Sequence, residues 1–272
     1  MIRGRRRIWI GLSTAVLVGG GTVAPPGHLT GPGVGVPPAL ASGGEGGEGG
    51  EGGEARGERG IAVADDATLA AALLAMDGHL RVALRLLAAG AGDAARPHLQ
   101  HPLETVFPRI HGPLETRFRA AEEELEAALA VVHAAAGEDA TVARRRAEAA
   151  RAAIGRTLEA LVGDRLRDPA FTARVLDRLL ARLAAEYGEA VTEGRVTNGE
   201  DQEAARGMLR SAETLWRRVA ASAPEAVRGE IDGILAELSK GLAAPGPSTE
   251  TASPAKIQAL VSRARLALSD LR

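Results

Sequence analysis

The chain has 272 residues, room for one or two domains, and its 45% apolar content comes mostly from Ala, Leu and Val, with only 2% aromatics. It has no cysteine, which excludes disulfides, thiolate metal sites and thiol catalysis. The formal net charge is −2 and β-branched alternation is almost absent, so composition points away from a sheet and toward helices that pack Ala and Leu faces.

The N-terminus reads as an export signal. Arg3, Arg5, Arg6 and Arg7 precede the apolar run Ile8–Val18, which is too short to span a bilayer well. A Gly/Pro-rich stretch then leads to Ala39–Ala41, a small-residue cleavage pattern before Ser42, and Ala24 offers an earlier cut. Residues 1–41 are the expected signal peptide, and Arg6-Arg7 before Ile-Trp-Ile has a faint twin-arginine character. No later stretch is expected to cross a membrane, so a periplasmic or secreted protein without membrane insertion after cleavage is expected. Loss of four arginines leaves a net charge of about −6, which argues against a nucleic-acid partner. Residues 42–64 include four copies of Gly-Gly-Glu and read as a disordered, self-repelling tether.

From Asp66 onward the pattern is helical almost throughout. Helices are expected near 66–89, 98–109, 113–136, 138–163, 168–193, 199–221, 224–242 and 254–271. Proline in His101-Pro102, Gly112-Pro113, Asp168-Pro169, Ala223-Pro224 and Ser253-Pro254 stands where a first helical residue belongs. Leu69, Leu73, Met76, Leu80, Leu84 and Leu87 make one apolar stripe. The expected fold is an all-α bundle of about seven or eight helices after a disordered N-terminal tract. Its main body runs over 65–243, and a linker at 244–253 leads to a C-terminal helix at 254–272 that packs on the bundle.

Chemistry concentrates between residues 79 and 104. Of six histidines (His28, His79, His98, His101, His111, His133), three fall between Pro97 and His111. The segments HPLETVF and GPLETRF, eleven residues apart, put Glu104 and Glu115 third after a helix-starting proline, where a carboxylate caps the helix end. That account leaves His98 and His101 without a role. A turn at Gly90–Gly92 between antiparallel helices would set His79 level with His101, with His98 and Glu104 one turn to either side. His79, His98, His101 and Glu104 then form a candidate site for an iron, copper or zinc ion, with Asp77 as an extra ligand and no organic cofactor. The objection is that on an unbroken helix Leu99, Leu103, Val106 and Ile110 define the buried face, and His101 points away from it. The site requires Pro102 to break the helix. Helix punctuation and metal site both remain open on these residues.

Two segments resemble known proteins. Gly78–Phe107 resembles a pattern of uncharacterised exported helical proteins of bacteria, Gly-His-Leu…Gly…His-x-x-His-Pro-x-x-Glu. Leu179–Glu203 resembles part of the periplasmic helical domain of bacterial high-affinity iron permeases, through Tyr187, Ala190-Val191, Gly194, Glu200 and Glu203, with Asp201 in place of a tyrosine. The His-x-x-Glu of His101–Glu104 is also similar to the metal motif of imelysin-type proteins. These resemblances imply an iron-uptake setting and a metal ion as partner, alongside a membrane transporter or another periplasmic protein.

The function expected is an exported, non-catalytic metal-binding protein accessory to iron or other metal uptake. The alternative is a structural or adaptor bundle for a protein partner, which needs an exposed apolar patch. An imelysin-like hydrolase ranks third, because no nucleophile–base signature, phosphate loop or dinucleotide fingerprint is present.

Overall fold

The computed structural model describes residues 65–243 and 251–272. The signal peptide and tether expected at 1–64, and residues 244–250 of the expected linker, lie outside the described residues. The fold is an all-α bundle.

Helix α1 (Asp66–Ala88) begins where Asp65 accepts the Thr68 N–H at 2.8 Å. It is enclosed by neighbours, packing on α2 (Gly92–His101), α4 (Ala140–Val162), α5 (Pro169–Ala190) and α6 (Gly199–Trp216). By length and composition α1 would pass as a membrane span, contrary to the expectation that no late stretch does. Its apolarity is accounted for by burial: Leu69, Leu73, Met76 and Leu80 are fully buried in the core. Each contributes about 2 kcal/mol of burial relative to exposure.

Helix α3 (Phe107–Ala134) lies against α4. Helices α5, α6, α7 (Glu225–Gly241) and α8 (Pro254–Ser269) close a ring, each touching the next and α8 returning to α5. Tyr187, fully buried on α5, donates its hydroxyl to the Ala252 carbonyl at 2.8 Å just before α8. Local capping accounts for the helix starts. Asp139, Asp168, Asn198 and Ser253 each accept a backbone N–H from the first turn of the helix they precede. Pro169 and Pro254 are first helical residues, as read from the sequence.

Three sequence expectations are corrected. Pro102 and Pro113 do not begin helices: Pro113 lies inside α3, and Pro102 opens a π-helical segment, Pro102–Val106, that carries the chain from α2 into α3. Glu104 and Glu115 therefore have no helix N-terminus to cap, and Glu104 pairs with His133 instead. Helix α2 starts at Gly92, six residues earlier than expected. And α5 ends at Ala190 in a small antiparallel hairpin, β1 (Val191–Thr192) with β2 (Arg195–Val196), where no strand was expected. Its turn puts Glu193 and Gly194 at φ 52° and 75°.

The tightest contact is between backbones. A Cβ added to Gly207 on α6 would lie 2.2 Å from the Gly78 carbonyl oxygen on α1, and one added to Gly78 would lie 2.8 Å from the Met208 nitrogen. Gly207→Ala is expected to cost about 3 kcal/mol or to prevent folding, because backbone cannot move aside as a side chain can. Gly229→Ala, at an exposed position of α7 where an added Cβ meets nothing within 4 Å, should instead stabilise by about 0.5–1 kcal/mol. Urea unfolding of both variants checks this; equal effects would contradict the backbone contact.

Candidate metal centre

The hairpin of α1 and α2 turns at Gly90, held at φ 75° where glycine carries no Cβ penalty. Its arms are of equal length from Gly90 to His79 and to His101, and the two imidazoles stack with centroids 4.1 Å apart and planes 15° apart. His98, one turn before His101, brings its Nδ1 to 3.3 Å from His79 Nδ1. His79 and His98 are both 1% exposed.

The local reason that His98 and His101 both face α1 is the π segment. Proline has no N–H, so Pro102 cannot donate to the His98 carbonyl, and the ladder widens: the Phe107 N–H reaches back five residues to the Pro102 carbonyl. One extra residue per turn shifts the buried face. His98 and Leu99 are buried before the shift, and Val106, Phe107, Ile110 and Leu114 after it. The sequence objection assumed an unbroken α-helix; the helix is neither broken nor regular.

A third helix completes the group. Glu186 on α5 offers a carboxylate oxygen, and single ligand atoms from His79, His101 and Glu186 all lie within 4.8 Å of one another. Zinc–nitrogen bonds of about 2.0–2.1 Å would put ligand atoms somewhat closer than this, a contraction within reach of small side-chain rotations. His79 Nε2 and His101 Nε2 are buried with no hydrogen-bond partner. Between His79 and His98, one Nδ1 must carry a proton and the other a lone pair. If His79 donates from Nδ1, its buried Nε2 presents a bare lone pair. His98 then acts as the partner that fixes the ring of a ligating histidine. Two imidazole nitrogens and one carboxylate, with His98 supporting His79, make a donor set that suits zinc, iron or copper.

The electrostatics favour neutral imidazoles. Burial pushes His79 well below the ordinary histidine value, helped by His101, His98 and Arg182. His98 is pushed down to about 4, by burial first and then by His101 and Arg85. His101 is lowered by burial, Arg182 and Arg109, against an opposing pull from Glu104. Glu186 is raised by burial, and Arg182 opposes that shift from 3.7 Å away. Arg182 Nε is itself buried without a hydrogen-bond partner. Burial, reinforced by Arg182 and Arg109, thus favours neutral imidazoles with free lone pairs, and Glu186 stands beside Arg182 as its counter-charge.

Two sequence candidates lie elsewhere. Glu104 is exposed after the π shift and accepts from His133, Nε2 to Oε1 2.6 Å. Asp77 faces α4 and α6, bridging Arg81, Arg151 (2.7 Å) and the Ser211 hydroxyl (3.1 Å). His111 pairs with the fully buried Glu122 at 2.7 Å. Glu186 was missed by the sequence reading. Its one available signal was spacing: three residues after Leu183 and seven after Leu179, it stands at the edge of the buried stripe of α5, beside Tyr187.

Residues 162–271 match the family model of the iron permease-associated 4-helix bundle domain. This span holds the ring of α5 to α8, and with it Glu186; His79, His98 and His101 come from helices that precede it. The match includes the Leu179–Glu203 segment read as similar to iron permease domains. Comparison with curated proteins gave no match. Comparison with solved structures gave none either.

The depressed histidines set a pH dependence for the metal-free chain. Unfolded histidine takes a proton near pH 6.5, whereas folded His98 does so only near 4. Protons therefore favour the unfolded chain between these values, and stability falls as pH drops from about 6.5 toward 4. His98 alone accounts for roughly 3 kcal/mol of that fall. Glu186, raised, acts in the opposite sense, so the comparison is with His98→Gln, which should flatten the curve. Urea midpoints across this window check it; a native curve already flat there would refute it.

Proposed function

We propose that the chain is an exported protein, periplasmic or secreted, that holds a metal cation between α1, α2 and α5 and serves as an accessory to the uptake of iron or another metal. The observation that carries this reading is the cluster of His79, His101 and Glu186, with His98 against His79, in which two buried imidazole nitrogens have no protein partner. Buried polar atoms without partners are costly, and a cation that accepts their lone pairs removes that cost. The donor set points to iron, copper or zinc, and the match at residues 162–271 favours iron as cargo. A membrane transporter for the same metal is the natural partner. The role is binding rather than catalysis, and no organic cofactor takes part. Export rests on the basic and apolar start of the chain.

The adaptor reading calls for an exposed apolar face. The large apolar side chains exposed among the described residues are Val131 on α3 and Leu266 on α8, which supplies no such face.

Metal content of the full chain, purified without chelator or histidine tag, tests the reading. Near-stoichiometric metal is expected, falling to about a tenth or less in the His79/His98/His101 triple-alanine variant. Glu186→Gln should weaken binding by about 10–100-fold, the scale of losing one ligand or its support. Glu104→Gln should leave it unchanged. No metal in the unaltered chain, even after anaerobic loading with iron, would sink the reading.

A further inference from the structure

The backbone contact of Gly78 and Gly207 has a second result on the opposite side of α1. Just past the contact, α1 carries Arg81 and Arg85 and α6 carries Arg206 and Arg210. These four line a groove of about 430 Å³, closed at one end by Ser239, Leu242 and Ala243 at the end of α7. Arg81 and Arg210 also line a second hollow of about 400 Å³, together with Arg151 of α4 and Arg217 of α6. Six arginines thus line two hollows that share Arg81 and Arg210.

Too few carboxylates accompany them. Asp77 is shared by Arg81 and Arg151. Glu203 is shared by Arg85 and Arg206. Glu213 pairs with Arg210 at 2.9 Å. Arg217 donates to the Glu213 carbonyl and to the Thr214 hydroxyl, which carry no net charge. Three carboxylates against six arginines leave a local surplus of three positive charges, on a chain whose net charge is −2. Each guanidinium has five N–H donors, and a carboxylate shared between two of them leaves donors unused. Arg206 is also pinned by donating to the Leu242 carbonyl, so its fork is held in place. Packing like charges side by side is unfavourable without a counter-anion.

We propose that this groove binds a small soluble anion carrying two or more carboxylate or phosphate groups. Its volume suits a small molecule, and paired guanidinium forks match the geometry of such oxyanions. The proposal stands independently of the histidine cluster.

Calorimetric titration tests it, using citrate and pyrophosphate as probes on full-length protein first freed of metal, so that chelation of a bound ion is not read as anion binding. Both probes are expected to bind with submillimolar affinity at low ionic strength, with sodium chloride as the control titrant. In the Arg85→Gln/Arg210→Gln variant binding should weaken about tenfold or more, since each contact is a charge-assisted hydrogen bond. Arg263→Gln, at an exposed arginine of α8, should change nothing. Arg85 and Arg210 are 54% and 64% exposed, so the double variant should fold, and circular dichroism confirms it. Should it not, Arg210→Gln alone is read the same way, and Arg85→Lys/Arg210→Lys should keep part of the affinity. Absence of binding by either probe at about 5 mM would overturn the proposal, as would equal affinity in the glutamine variants. So would cosedimentation with phosphatidylglycerol vesicles in the absence of any soluble-anion binding, which would make the groove a lipid-surface contact.

Discussion

Everything in this molecule hangs on how closely α1 and α6 approach. A chain with 2% aromatics has few side chains large enough to fill space between widely separated helices. Its core is Ala, Leu and Val, and dispersion among small groups is gained only at short range. Gly78 against Gly207 is where that logic reaches its limit, with two backbones in contact and no room for a methyl group. The contact fixes α1 among four neighbours. His79 is the next residue along from Gly78, and Arg81 is two further on.

The second constraint is a missing hydrogen. Pro102 has no N–H to give, and the chain answers by widening into a π segment rather than by ending a helix. That single adjustment presents His98 and His101 to α1 on one side of it and keeps Phe107, Ile110 and Leu114 in the core on the other. It also turns Glu104 outward to His133. The residue that looked like a cap and a ligand stands inside the π segment and pairs with His133 instead.

Arginine does two different things around α1. Near the histidines, Arg182 and Arg109 reinforce burial in holding imidazoles neutral, so that lone pairs rather than protons face the cluster. On the other face arginines are crowded beyond the number of available carboxylates. Low dielectric sharpens the first arrangement, and the partly open groove softens the second.

Local rules written in the sequence were enough to set the helical class, the helix starts at Pro169 and Pro254, and the equal arms that put His79 level with His101. Each of these depends on neighbours a few residues away or on one tight turn, and such effects survive in any tertiary context. The short hairpin after Ala190 escaped because two-residue strands leave almost no periodic trace. The departure of Glu104 escaped because a π shift depends on how the following helix must pack. Glu186 escaped because nothing local ties α5 to the first hairpin. Only the packing of α5 and α6 on α1, closed by contact between two glycines, decides which side chain arrives third at the histidines.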